Sequence, residues 1–221
     1  NTTPGGYWKG HLDCFRVWNS VLTSDEITAI YNSGTPIAVT SDSGNYESSA
    51  NLQLDNLFDE LTGTTVADNS GNSNTLTLQN SPTWNQDCVG FTTPDYAATH
   101  ALELDGVSDY AIPFLDLKQS IDAGEFTIYA RARFNDTTVN GYVFISGETA
   151  GSDNYISLLN VGANNDTRAS MRGSGGATQA IYSIANSVND TWYDLVATRT
   201  INASDGTLEF FVNGVSQGTL T

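Results

Sequence analysis

Residues 125–134, EFTIYARARF, carry Phe126, Ile128, Ala130, Ala132 and Phe134 at every second position, with Thr127, Tyr129, Arg131 and Arg133 between them. Side chains alternate across a strand, so strict period two over ten residues predicts a central β-strand with one face in a core and the other towards solvent. Residues 7–18, YWKGHLDCFRVW, alternate well enough to predict a second strand. From Ala101 onward short alternating segments follow in quick succession: ALELDG, YAIP, the central strand, GYVFIS, NYISLLNV, TRASMR, ATQAIYSI and TWYDLVATRT. Leu208–Val212 then runs into Asn213-Gly214, the strongest short hairpin signal. This spacing predicts an all-β antiparallel sandwich with Leu102, Leu104, Phe126, Ile128, Ala130, Val196 and Phe210 in its core.

The period changes once. Thr23 followed by Glu26 is a capping box, Ile27, Ile30 and Tyr31 form an apolar stripe, Gly34 suits the position after the helix, and Pro36 prevents continuation; the expected helix covers residues 24–33. Residues 37–51, IAVTSDSGNYESSAN, are polar, small and acidic without periodicity, and read as a linker or a long surface connection. Beyond it, Leu52 to Phe58 reads as a short strand, and DNSGNSN at 68–74 as a turn-rich loop.

Composition narrows the partners. A chain of 221 residues with 39% apolar content can bury a sizeable core. Eight basic residues against 25 acidic ones give a net charge of −17, which argues against nucleic acid and anionic membranes and in favour of cations. Lys9 and Lys118 are the only lysines, and the acidic, polar surface this implies is of the kind secreted proteins carry. No apolar run approaches membrane-spanning length, and the start, NTTPGG, has neither a basic nor an apolar targeting region, so either a targeting segment was removed or the numbering begins inside a longer chain. Cys14 and Cys88 have no metal or redox spacing; one long-range bridge and two buried thiols both fit.

The segments LFDELTGTTVADNSGNSNTLTLQNSPTW, ALELDGVSDY, EFTIYARARF, TWYDLVATRT and LEFFVNGV resemble, in order and spacing, the landmarks of a laminin-G-like, concanavalin A-like jelly-roll module of the bacterial and viral type, over residues 52–221. That family's module closes with a strand and a helix, and GHLDCFRVWNSVLTSDEITAIYNSG resembles this closing motif. Here it stands at residues 10–34, ahead of the opening strand. The division expected is therefore residues 1–36 as closing strand and helix, 37–51 as linker and 52–221 as a sandwich lacking its usual closing strands. The motif would belong to a preceding tandem module, to its own module by circular permutation, or to another copy by exchange. In the last two arrangements Phe15 and Val17 should lie beside Phe126 and Ile128.

The resemblance also frames the candidate chemistry. Concanavalin-like glucanases present acids at alternate positions of one strand. Glu103 and Asp105 begin that pattern, Val107 ends it, and hydrolase activity is the least favoured reading. His11 and His100 lack any catalytic or metal context and read as structural or surface residues. For a structural Ca2+ the oxygen-rich loops offer Asp68, Asn72, Asp105 and Asp109, with Asp13 a weaker candidate; Asx-turns use the same residue types to cap their own backbone. Sugar binding needs an exposed aromatic face with planar hydrogen-bonding groups beside it. Trp84, Tyr96, Tyr142, Tyr155 and Tyr182 are the candidates, and Trp192 is set aside because it matches a family core tryptophan. What the resemblance implies is a non-enzymatic carbohydrate- or surface-binding module of a larger extracellular, cell-surface or virion-surface protein. The rival is a structural module of a fibre, capsid or surface layer that contacts other copies of itself.

Overall fold

The computed structural model describes residues 6–35, 37–85, 100–113, 124–147, 155–162, 165–172, 179–183, 186–201 and 206–221. Fifteen strands and one α-helix occur among them: β1 (Lys9–Trp18), α1 (Ser24–Tyr31), β2 (Leu52–Asn56), β3 (Thr65–Val66), β4 (Leu76–Gln79), β5 (Thr83–Asn85), β6 (Ala101–Asp105), β7 (Tyr110–Pro113), β8 (Phe126–Phe134), β9 (Gly141–Gly147), β10 (Tyr155–Val161), β11 (Asp166–Arg172), β12 (Gln179–Tyr182), β13 (Trp192–Ile201), β14 (Gly206–Val212) and β15 (Val215–Leu220). An eight-stranded sheet runs β15-β14-β13-β8-β1-β6-β5, with β2 also on β1; a four-stranded sheet runs β12-β11-β10-β9, and a three-stranded one β3-β4-β7. All ladders between named strands are antiparallel.

The alternation of β8 accounts for the layering. Phe126, Ile128, Ala130, Ala132 and Phe134 turn inward and join Leu102, Leu104 and Phe210 of the large sheet, Ile156, Leu158, Ala169 and Ile181 of the four-stranded sheet, and Val66, Leu76 and Leu78 of the three-stranded one. Phe15 stacks on Phe144 across the layers, with ring centroids 5.3 Å apart. Burial of this set is the dominant favourable contribution to the sandwich.

The opposite face of β8 departs from the expectation of a solvent-facing side. Thr127, Tyr129 and Arg131 are buried there, because a second apolar layer covers the outside of the large sheet. Trp18, Leu22, Ile27, Ile30, Val39, Tyr46, Leu52, Tyr129, Val196 and Phe211 form it, so Val196 belongs to this outer layer and not to the core between the sheets. Helix α1 supplies Ile27 and Ile30, and its capping box is complete: Thr23 Oγ1 accepts from Glu26 N while Glu26 Oε2 accepts from Thr23 N at 2.9 Å. The left-handed turn after the helix begins at Asn32 (φ 40°), two residues before the glycine that marks it in sequence. Residues 37–51 are not a free tether. Val39 and Tyr46 are fully buried, and Tyr46 Oη accepts from Trp18 Nε1 and donates to Val39 O, both at 2.9 Å. The Asn213-Gly214 turn has positive φ at both residues (51° and 74°), as its hairpin requires, and a side chain at Gly214 would meet the Tyr31 ring at 2.9 Å.

Strand β1 occupies the centre of the large sheet. One edge pairs with β8, setting Phe15 opposite Ala130 and Val17 opposite Ile128; the other is shared by β6, opposite residues 9–12, and β2, opposite residues 15–18. The strand thus lies within its own chain's sheet, and α1 packs on the outside of that sheet. Without β1, β8 would present an open edge in mid-sheet.

Candidate functional site

Period two places Ala169 and Ile181 in the core, so their neighbours Arg168 and Tyr182, paired across β11 and β12, stand on the outer face of the four-stranded sheet. Tyr182 is 44% exposed. The Arg168 guanidinium lies 5.6 Å from the centre of its ring, and Arg168 Nη1 donates to Tyr182 Oη at 3.3 Å, while Arg168 Nε has no acceptor. Next along the same face, Ser157 and Ser170, both fully buried, pair through their hydroxyls at 2.8 Å. An exposed ring with a planar, charged donor fork fixed beside it is the chemistry that takes the apolar face of a sugar and its hydroxyls.

The other sequence candidates are placed differently. Trp84 is half-buried against the core and donates Nε1 to Gly63 O at 3.4 Å. Tyr142 is half-buried, with its ring against Gly6. Tyr96 and the side chain of Tyr155 lie outside the described residues, as does Cys88; Cys14 is buried. Trp192, set aside as core, belongs to neither apolar cluster. It sits half-buried on the outer face of the large sheet, with Arg131 and Arg133 5.6 and 6.0 Å from its ring. The two arginines at alternate positions of β8 were the only sequence signal for this arrangement.

Charge concentrates beneath that tryptophan. Arg131 meets Asp194 at 2.6 Å and Asp13 at 3.2 Å, Tyr129 donates its hydroxyl to Asp194, and Arg16 meets Asp55 at 2.8 Å. Burial pushes the Asp194 carboxyl and the Tyr129 phenol upwards in pKa, and the negative charge of Asp194 pushes Tyr129 further. These side chains are turned towards one another across β1, β2, β8 and β13, and so they tie the centre of the sheet together. His11, only 1% exposed, is held between Asn135 Oδ1 at 3.1 Å and Asn85 Nδ2 at 2.9 Å, in keeping with a structural role. Glu103 accepts from Asn85 Nδ2 at 3.0 Å.

The four calcium candidates do not form one group. Asp68 accepts from the amides of Asp55, Ser70 and Asn74 and from the Ser70 hydroxyl; Asn72 spends its amide on Leu52 O at 2.9 Å. Asp105 accepts from the amides of Val107, Ser108 and Asp109, and these bonds, that of Ser108 foremost, hold its pKa down to about 2. Asp109 accepts from Asp105 N at 3.2 Å, and burial raises its pKa. Both loops are thus capped by their own backbones. Asp105 lies opposite Lys9 and Asp55, which Asp68 caps, lies opposite Arg16, so the two loops flank opposite ends of β1, about 20 Å apart at the strand's rise per residue. Among the described residues no three His, Cys, Asp or Glu side chains come together as metal ligands.

A family model described as the concanavalin A-like lectin/glucanases superfamily, of laminin-G type, matches residues 105–221. Neither the curated proteins nor the solved structures contain a match to the chain.

Proposed function

We propose that this chain, which belongs to the concanavalin A-like lectin/glucanases superfamily, is a non-enzymatic binding module that takes a glycan on the outer face of its four-stranded sheet. The observation that carries the reading is the Tyr182–Arg168 pair: an exposed ring with a guanidinium fixed beside it. The net charge of −17 speaks for a neutral or weakly charged partner held by stacking and hydrogen bonds, and against polyanions such as nucleic acid. The same acidic surface suits an extracellular, cell-surface or virion-surface setting. Glycosidase chemistry finds little support, since Glu103 is engaged with Asn85 and Asp105 with its own turn.

A glycan array with the chain and with Tyr182→Ala tests this reading. Specific binding that disappears in Tyr182→Ala supports it, and binding that survives the substitution moves the site elsewhere. One observation favours the rival, self-assembling reading: the large sheet ends on β15, whose sequence VSQGTL is uncharged and whose Val215 is 62% exposed. A silent array together with concentration-dependent assembly in sedimentation would establish that rival.

A further inference from the structure

Strands β10 and β11 carry one polar pair into the interior of the sandwich. Leu158 and Ala169 stand opposite each other in the core, so by alternation the next inward-facing pair along these strands is Asn160 opposite Thr167. Both residues are buried, at 1% and 2% exposure. Among the described residues, Asn160 Oδ1 and Thr167 Oγ1 have no hydrogen-bond partner, and no bond joins them to each other. A dehydrated amide oxygen beside a dehydrated hydroxyl is unfavourable unless something bonds to both.

Main-chain bonding sets how close the two side chains come. The Thr167 carbonyl accepts from Ser183 N at 2.8 Å, and its N–H donates to Ser183 Oγ at 3.1 Å, so both main-chain groups are spent on the β12 side. Towards β10, Thr167 is therefore half of a non-hydrogen-bonded pair, the narrow kind, with Cα atoms about 4.5 Å apart. The amide of Asn160 is oriented just as firmly. Its Nδ2 donates to Thr137 O at 3.0 Å and to Val139 O at 2.8 Å; an oxygen could serve neither carbonyl, so the amide cannot be turned over. Both carbonyls belong to the connection leading into β9, which flanks β10 on the side away from β11. The NH2 group thus faces β9, and Oδ1 faces β11, where Thr167 stands. Cβ atoms of directly opposed residues are about 4.5–5.5 Å apart. One water, about 2.8 Å from each oxygen, bridges atoms up to about 5.5 Å apart.

We propose that Asn160 and Thr167 hold one internal water as a resident ligand, which donates to Asn160 Oδ1 and accepts from Thr167 Oγ1. Neither partner is charged, which suits a neutral ligand and not a metal ion. Through Asn160 the water is tied to the β8–β9 connection, and through the Thr167 main chain to Ser183 at the end of β12, so it fastens separate connections at one end of the sandwich. The site stands apart from glycan binding: Thr167 faces the interior, and its neighbour Arg168 the outer face.

Crystal structures of the whole 221-residue chain and of Thr167→Val, at a resolution that shows ordered water, test the proposal. The result expected is one water within about 3.2 Å of both oxygens in wild type and none there in Thr167→Val. A direct Asn160–Thr167 bond, a dry site, or a water on only one of the two oxygens overturns it. Melting temperature supplies a solution readout whose sign discriminates. Valine keeps the shape of threonine, so removing a hydroxyl that bonds to nothing should raise the melting temperature. Removing a bridged hydroxyl leaves Asn160 Oδ1 unpaired and should lower it by about 2–4 °C in a chain of this size. An unchanged or raised melting temperature in Thr167→Val also overturns the proposal.

Discussion

Removing one oxygen atom, by Tyr46→Phe, tests whether residues 37–51 are a structural cover for the large sheet. The ring is fully buried and packs edge-on against Trp18 at 6.3 Å, and phenylalanine keeps that packing. What disappears is a relay in which the Trp18 indole donates to the Tyr46 hydroxyl and the hydroxyl donates to the Val39 carbonyl. One buried donor and one buried acceptor are left unpaired, each at about 1–3 kcal/mol, so the variant should lose about 2–4 kcal/mol after partial relaxation. For a domain of this size that is a fall in Tm of roughly 5–15 °C. Equilibrium unfolding in urea followed by tryptophan fluorescence reads the change directly, since Trp18 is one of the partners. A second readout is specific to the hydroxyl: burial pushes the Tyr46 pKa up to about 12 and that of Tyr129 upwards too, so the late-ionising tyrosines of the alkaline absorbance titration should number one fewer in the variant than in wild type. A loss below about 0.5 kcal/mol, the level of an ordinary surface substitution, would refute the reasoning and return residues 37–51 to the status of a tether.

Further predictions concern the other fastenings. Glu26 accepts from Thr23 N and Oγ1, Ser48 Oγ and Glu47 N; burial alone would raise its pKa, but these bonds outweigh it and the folded-state value lies below the ordinary 4.5. Its contribution is therefore complete above that value and is lost as pH falls through the lower folded-state pKa, so Glu26→Gln should flatten the acid limb of a stability–pH curve; an unchanged limb counts against it. Arg131→Met leaves Asp13 and Asp194 buried without their shared cation and should cost about 3–5 kcal/mol in chemical denaturation, whereas a neutral result would mean those carboxylates are already protonated. A chain beginning at residue 37 should lose its cooperative melt and regain it when a peptide of residues 7–35 is added, because β1 is a central strand; the intact chain should sediment as a monomer. A truncated chain that melts as wild type, or an intact chain that is an obligate dimer, would show that the motif serves another module or another copy.

How much of this was legible in the sequence depends on the distance over which each feature is decided. Period two in EFTIYARARF, the Thr23/Glu26 capping box and Asn213-Gly214 are local, since each depends on side chains within a few residues of one another, and each stands in the structure as the residues predict. Alternation also settles which residues share a face, and so it put Phe126, Ile128 and Leu102 in one core. What alternation cannot say is what lies above a polar face. Thr127, Tyr129 and Arg131 look solvent-directed in sequence, yet α1 and Tyr46 come back over them from distant parts of the chain, and Arg131 finds Asp13 and Asp194 at sequence distances no local rule reaches.

The candidate sites divide in the same way. That Tyr182 is an aromatic on a strand was readable; that it is the described candidate with an exposed ring and an arginine across it follows only from the β11–β12 register. Oxygen-rich loops were equally readable, but whether their Asp side chains bond their own backbone or face outward is not decided by the sequence of the loop. Only the tertiary structure shows that the oxygens of Asp68 and Asp105 are taken by amides of their own loops and of β2. Sequence by itself determined the elements and their faces, because those are set by chemistry between near neighbours. The cover on the large sheet and the place of β1 within it were decided by long-range packing, which selects among partners that the local pattern leaves equivalent.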